Sequence, residues 1–250
     1  MGKIIEFTAH HQIVEDKQIQ PIPTKLNIPE WFKKLKHTEQ LRTLKGCIPF
    51  LETITTGYLL KLPQDFYVEH NTRDVRGQPF TKQTTGYSTN AMPGYDFIMG
   101  LNAFENVEHP LSQVGGKSCP FSEKNKQLPI QKFLNPWFIK TPPGYSCLFV
   151  PPLNNSDDRF SIISGIVHTD KFDQRINFPY LYNGDKYPYL ETTLKKGTPF
   201  VQVIPFKRDS WKMKVTGTST DKIKKSLELV NTLRLWFYKT KFWDKGVNWK

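Results

Sequence analysis

The sequence predicts a mainly β protein, a jelly-roll-like sandwich of short strands with one C-terminal α-helix and a polar insertion. The 19 prolines and 15 glycines are spread along the 250 residues, which favours many short strands and turns over long helices. Between residues 131 and 210, short apolar runs are separated by Pro, Gly, Asn and Asp, as in sandwiches and barrels. From Ser219 onward, apolar residues recur at helical spacing instead.

The first elements belong to an N-terminal extension that we assign to residues 1–46. Residues 3–8 are typical of a strand, and a short helix is predicted to begin near Pro29. Two β-like pieces, CIPFLETI and TGYLLKLPQDFYVEH, follow in residues 47–70. They open a β domain that we assign to residues 47–215.

A polar insertion interrupts the β domain at about residues 71–130, where Gly, Thr, Asn and Gln are frequent and periodicity is weak. Such long irregular segments are usually insertions or binding surfaces. Strands resume as FLNPWFIKTP, YSCLFVPP, FSIISGIV, RINFPYLY and TPFVQVIPF. A helix capped by Ser219 or Thr220 and an aromatic, lysine-rich tail form the last segment, residues 216–250.

The net charge, the cysteine spacing and the lack of long apolar runs limit the kinds of partner, metal site and cellular compartment that we expect. The net charge is +12, and a basic surface can serve nucleic acid, an acidic protein or solubility. Cys47, Cys119 and Cys147 form no CxxC pair, so neither a zinc knuckle nor a disulfide framework is indicated. Cys47 and Cys147 lie in apolar segments and are expected to be buried. The start lacks a signal-peptide pattern and no apolar run approaches membrane-spanning length, so we expect a cytoplasmic protein without membrane contact.

The segment GIVHTDKFDQRINFPY, residues 165–180, contains the opening of a non-haem iron site. His168 and Asp170 are two residues apart, so on one strand their side chains share a face, and Arg175 follows at a suitable distance. These three are the candidate catalytic residues, and the first two are candidate metal ligands. A facial triad needs a second histidine, and no histidine follows His168. We therefore favour a tight turn here and keep an Fe(II)/2-oxoglutarate oxygenase as an alternative.

Three segments resemble the pattern of dUTPases and dCTP deaminases. They are TGYLLKLPQDFYVE (56–69), SGIVHTDKFDQRINFPYLYN (164–183) and LKKGTPFVQVIPFKR (194–208). The resemblance covers about half of the chain. It implies the β-clip form of the jelly roll, a homotrimer, and a diverged enzyme that binds or hydrolyses nucleotides with Mg(II).

The catalytic residues of that family carry over only in part. The hairpin Asp that holds the attacking water is replaced by His168, and an aromatic residue to pack on the base is present only at Phe172. Gln202 and Tyr58 are the other candidate substrate contacts. Gly197 allows a tight turn into a strand whose buried Gln202 can bond backbone groups. The Arg-Ser phosphate motif and the glycine-rich C-terminal arm have no counterpart, which puts the activity in doubt.

Over nearly its full length, the chain more closely resembles a family found in tailed phages and some bacteria. The resemblance rests on IPEWFK near the start, NPWFIKTPPGYS (135–146) and KGTPFVQVIPFKR (196–208). Within the second segment, Gly144 is the third residue of a predicted type II turn. That family has no established activity, and the resemblance implies a phage-type protein in the host cytoplasm or the virion.

The tail WFYKTKFWDKGVNWK mixes aromatic residues with lysines, which favour contacts with protein partners and also stack on bases. The candidate partner contacts are Trp236, Tyr238, Lys241 and Trp243. Together with the missing catalytic motifs, this tail predicts a non-enzymatic phage-type β protein, a virion or assembly component without a cofactor. Its partners are other proteins or further copies of itself, and nucleic acid is the less favoured partner.

Overall fold

The structure is a computed structural model, and it describes most of the chain. The described residues are 3–38, 40–73, 80–85, 108–109, 119–126, 128, 130–155, 157–232, 237–244 and 248–250. Most of the predicted polar insertion at 71–130 therefore lies outside the described residues.

The described chain is mainly β, and the predicted sandwich of short strands with a C-terminal helix is confirmed. The strands are β1 (Glu6–Thr8), β2 (Ile22–Pro23), β3 (Tyr58–Lys61), β4 (Phe66–Asn71), β5 (Phe80–Thr85), β6 (Glu108–His109), β7 (Ile130–Phe133), β8 (Phe138–Lys140), β9 (Tyr145–Val150), β10 (Phe160–Ile162), β11 (Gly165–Val167), β12 (Phe178–Tyr182), β13 (Tyr189–Leu194) and β14 (Pro199–Lys207). They form four sheets in the orders β1-β8, β10-β12-β7-β6, β11-β9-β14-β3-β2 and β13-β4-β5.

The described helices have five or six residues each, except for one of 13 residues near the C-terminus. They are α1 (His11–Glu15), α2 (Glu30–Lys34), α3 (Ile48–Thr53), α4 (Pro120–Lys124), α5 (Thr220–Thr232) and α6 (Phe237–Lys241), with 3-10 turns at Thr24–Asn27 and Leu44–Gly46. The predicted cap of α5 is confirmed, because Ser219 Oγ accepts the N–H of Lys222 at 3.3 Å.

The prediction of a strand over CIPFLETI was wrong, because this segment forms helix α3. Pro49 lies in the first turn of that helix, where the missing proline N–H costs nothing. Ile48 is buried and Leu51, one turn later, is half-buried, so the apolar residues follow a helical period. The helical interpretation was therefore available in the sequence.

The chain divides into two compact units. Unit 1 comprises Met1–Ile22 and Gly57–Lys207, and unit 2 comprises Pro23–Thr56 and Arg208–Lys250. Unit 1 contains nearly all of the strands, and unit 2 contains α2, α3, α5 and α6. The boundaries predicted at 46/47 and 215/216 stay a prediction.

Aromatic side chains join the sheets of unit 1 around Phe133 on β7. Its ring stacks on Tyr180 of β12 in the same sheet, with centroids 3.9 Å apart. Phe200 of β14 and Phe66 of β4 meet Phe133 edge-on at 5.1 and 5.5 Å, and each comes from a different sheet. Phe133 and Phe200 are no more than 1% exposed. Such edge-to-face packing fixes the geometry of the core as well as burying apolar area.

Two glycines confirm predicted turns of unit 1. Gly144 has φ +83° and the N–H of Tyr145 bonds the Pro142 carbonyl at 3.2 Å, as a type II turn requires. Gly197 has φ +82° and leads into β14, as the sequence predicted.

Candidate functional site

The predicted iron-site segment forms a turn after β11. The carbonyl of His168 accepts the N–H groups of Lys171 and Phe172, both at 2.9 Å, and the imidazole is exposed. Asp170 Oδ2 accepts the N–H of Gly144 at 2.9 Å, so this carboxylate joins the turn to the β8–β9 loop. The Asp170 carboxylate thus has a structural role, whereas the contacts of His168 are made by its backbone. The catalytic role of both residues stays a prediction.

Thr169, between His168 and Asp170, belongs to a buried polar cluster. Its hydroxyl lies 2.7 Å from that of Thr141 and 3.4 Å from Cys147 Sγ. Burial raises the pKa of the Cys147 thiol to about 11, which keeps it protonated near neutral pH. The predicted burial of Cys147 is confirmed, whereas the same prediction for Cys47 was wrong, because Cys47 is exposed.

The three predicted substrate contacts differ in how far their side chains are buried. Gln202 is fully buried and its Oε1 accepts the N–H of Leu153 at 2.8 Å, which confirms the predicted bond from this strand to a crossing backbone. The Tyr58 ring meets Phe7 edge-on at 5.5 Å, and burial raises the pKa of its hydroxyl. Phe172 is 42% exposed.

Arg175, the third candidate catalytic residue, lies over an aromatic ring. Its guanidinium carbon is 5.6 Å from the centroid of Phe138, a cation–π contact at the surface of unit 1. Within the described ranges, no three His, Cys, Asp or Glu side chains are grouped so that they could hold a metal ion. None of the described helices is long and apolar enough to cross a membrane.

A pocket of about 240 Å³ in unit 1 contains two neighbouring carboxylates, Asp157 and Asp158. The bidentate Arg159 bond to Asp157 and the Lys186 and Tyr187 bonds to Asp158 lower the pKa values of both carboxyl groups. These carboxylates are therefore engaged in holding the surrounding loops.

The aromatic-basic tail is only partly described. Trp236 lies outside the described residues, and Tyr238 and Lys241 are exposed. Trp243 is half-buried, and its indole N–H donates to Glu52 Oε1 at 2.5 Å. This bond holds Trp243, one of the predicted partner contacts, against helix α3.

Trp243 forms one side of a groove of about 590 Å³ within unit 2. The cationic residues that line this basic groove are Lys34, Lys36, Lys45 and Lys239. The apolar residues that line it are Leu35, Ile48, Leu51 and Trp243. The groove thus combines apolar with cationic lining residues, and none of its described lining residues is acidic.

Two local arrangements shape this groove. Phe32 of α2 stacks on Phe50 of α3 with ring centroids 5.5 Å apart, which fixes the two helices. Downstream of α2, His37 Nδ1 accepts the N–H of Thr43 at 3.1 Å, and Thr43 Oγ1 donates to the Lys36 carbonyl at 2.8 Å. These bonds hold the loop that carries Lys36 and His37 at the groove.

The basic charge of the protein is concentrated in unit 2. By formal charge, unit 2 contains 17 Lys and Arg against 7 Asp and Glu, a balance of +10, whereas unit 1 contains 18 against 16. A concave surface with one sign of charge attracts ligands of the opposite sign. The groove therefore fits an anionic ligand with apolar groups.

The sequence predicted Trp243 as a contact residue but did not reveal the groove that it lines. The run WFKKLKH contains Lys34, Lys36 and His37 next to aromatic residues, which is a signal for an anionic partner. Some 200 residues separate this run from Lys239, so their proximity depends on the fold.

Comparisons with protein-family models, with curated proteins and with solved structures find no match for this chain. The resemblances to dUTPases and to the phage family stay predictions.

Proposed function

We propose that this protein is a non-enzymatic binding protein that holds an acidic segment of a partner protein in the basic groove. The observation that carries this proposal is the groove itself, which is lined by four lysines and four apolar side chains. Lysine rims contribute mainly to encounter and orientation, while buried apolar anchors supply affinity. An acidic peptide with interspersed Leu or Phe side chains satisfies both parts.

Nucleic acid fits this groove less well than an acidic peptide does. Proteins that bind single strands use several aromatic platforms for base stacking, whereas Trp243 is the one Trp, Tyr or Phe among the described lining residues and Leu35, Ile48 and Leu51 are aliphatic. The resemblance to a phage family is what suggests a virion or assembly component as the setting.

Binding of two labelled probes tests this function. Fluorescence anisotropy of the full chain would be measured with a peptide of alternating Glu and Leu and with a single-stranded oligo-dT of the same length. We expect the peptide to bind with a dissociation constant on the order of 10 μM, and the double substitution Lys34→Glu with Lys36→Glu to weaken it about tenfold.

A charge-matched control separates the groove from general attraction. Lys222→Glu with Lys224→Glu on α5 makes the same change in net charge outside the groove, and we expect it to leave peptide affinity within about twofold. Equal losses in both double variants, or no peptide binding, would contradict the proposal. Tighter binding of oligo-dT that depends on Lys34 and Lys36 would assign the groove to nucleic acid instead.

A further inference from the structure

The segment after β14, residues 208–219, presents large apolar side chains to solvent, and we name it the arm. Trp211, Met213 and Val215 are 91, 87 and 84% exposed. They alternate with Lys212 and Lys214, so in an extended chain the apolar side chains share one face and the lysines share the other. Single exposed apolar residues are ordinary, but three at strand spacing mark a contact surface.

The middle of the arm, residues 210–218, also lacks backbone partners among the described residues. No helix or strand is assigned between residues 208 and 219. Among the described residues, residues 210–218 make no backbone–backbone hydrogen bond. A stretch with free N–H and C=O groups and alternating side chains is suited to pair with the edge of a sheet.

Strand β13 of unit 1 is such an edge. It ends the described sheet β13-β4-β5 and is six residues long, enough to pair with the alternating part of the arm. The other terminal strands with described side chains, including β11 and β10, have at most three residues. On one face of β13, Leu190 and Thr192 are half-buried, and on the other, Tyr189 is 55% exposed.

The exposed face of β13 is acidic. Glu191 stands directly opposite Glu69 of β4, an arrangement that is unfavourable for two like charges. The Tyr67 hydroxyl donates to Glu191 at 2.9 Å and to Glu69 at 3.3 Å, and the Tyr189 hydroxyl donates to Glu191 at 3.0 Å. Neither carboxylate forms an ion pair with another described side chain.

We propose that the arm of one copy of this chain pairs with strand β13 of a second copy. Lys212 and Lys214 then lie on the face of Glu191, and the three apolar side chains lie on the face of Leu190. The alternation of the arm, the open edge of β13 and the opposite charges agree with this one arrangement. It does not depend on the function proposed for the groove.

Sedimentation equilibrium of the full chain tests whether the arm of one copy pairs with a second copy. We expect reversible self-association between about 1 and 100 μM, since assembly depends on protein concentration. The triple substitution Trp211→Ser, Met213→Ser and Val215→Ser should raise the dissociation constant of self-association at least tenfold. Thermal unfolding and circular dichroism of each variant check that unit 1 remains folded.

Complementation between two charge variants identifies the surfaces that meet. Glu191→Lys alone and Lys212→Glu with Lys214→Glu alone should each weaken association about tenfold, because like charges then face each other. Mixing the two variants restores opposite charges at the contact, so the mixture should associate more tightly than either variant. The pair Lys222→Glu with Lys224→Glu is the charge-matched control and should behave as the unsubstituted chain.

Three outcomes would overturn the proposal. The first is a monomer throughout the concentration range, including one in which hydrogen exchange shows the arm protected on its own chain. The second is an oligomer that survives the triple substitution, or a mixture that fails to complement. The third is binding of oligo-dT through the arm without self-association, which would make the arm a nucleic-acid contact.

Discussion

Strand β14 and the arm follow each other in the chain and contain the same kinds of residue, yet they differ in burial. In β14, Phe200 and Val203 are at most 1% exposed, whereas in the arm Trp211 and Val215 are 91 and 84% exposed. β14 has β3 and β9 as neighbours and an aromatic core against it, and the arm has no strand beside it in the described chain. Apolar side chains at strand spacing therefore stabilise a structure only where a second surface removes them from water.

The largest expected difference between β14 and the arm is the loss of stability when one aromatic side chain is truncated in each. Phe200→Ala leaves a cavity against Phe133, and we expect a loss of about 3–5 kcal/mol in the free energy of unfolding. Trp211→Ala, measured at a concentration where the chain is monomeric, should change it by less than about 0.5 kcal/mol. Chemical denaturation measures both, and similar losses would mean that the arm packs on its own chain.

Alanine substitution of two glycines extends the comparison to the backbone. Gly57 has φ +71°, and a Cβ there would overlap the Val203 carbonyl oxygen, so Gly57→Ala should cost about 2–3 kcal/mol. An added Cβ at Gly217 of the arm would meet nothing within 4 Å, so Gly217→Ala should be nearly neutral. Denaturant midpoints measure the difference, and a tolerated Gly57→Ala would contradict the close approach of β3 and β14.

A buried histidine should make the stability of unit 1 depend on pH. His70 of β4 is fully buried against Tyr182, neither ring nitrogen has a hydrogen-bond partner among the described residues, and burial lowers its pKa to about 4. Between about pH 6.5 and 4, the unfolded chain binds a proton at His70 that the folded chain excludes. The free energy of unfolding should therefore fall by about 2.5 kcal/mol as the pH drops through this window.

His70→Phe isolates this effect, because it removes the titration and keeps a ring beside Tyr182. We expect the variant to be at least as stable as the original chain at pH 7 and clearly more stable at pH 5. His168→Phe is the control for the loss of one histidine at an exposed position. If the free energy of unfolding of His70→Phe depends on pH as steeply as that of the original chain, other groups govern the acid sensitivity.

The smallest expected effect concerns the basic groove and compares a packed glycine with an open one. A Cβ at Gly46 would overlap the His37 ring, so Gly46→Ala should displace the loop that carries Lys36 and weaken binding of the Glu-Leu peptide about tenfold. Gly165→Ala is the control, because nothing lies within 4 Å of its added Cβ. Equal affinities for both variants would show that His37 does not shape the groove.

Local signals predicted many elements of the fold. The runs YSCLFVPP and TPFVQVIPF form β9 and β14, and the helical period after Ser219 forms α5. Strand β13 was missed, although YLETTL alternates and contains β-branched residues. CIPFLETI was misassigned, since short apolar runs fit a strand or a helix and only the early proline favours the helix.

The candidate site was predictable only in its separate parts. Trp243 and the run WFKKLKH were both visible, but the groove exists because α3 holds Trp243 through Glu52. Likewise, the buried Gln202 was predicted to bond a backbone group, and only the fold shows that Leu153 provides it. Contacts between distant segments leave no local period, so sequence patterns do not reveal them.

The sequence by itself determined the class of the fold, the turns at Gly144 and Gly197, the helix after Ser219 and the excess of basic residues, since each depends on local geometry or composition. Only the tertiary structure decided which apolar residues are buried, which lysines share a groove and which strand forms an open edge. Burial and charge proximity depend on distances through space, which chain order alone does not fix. That is why β14 is core and the arm beside it in sequence is surface.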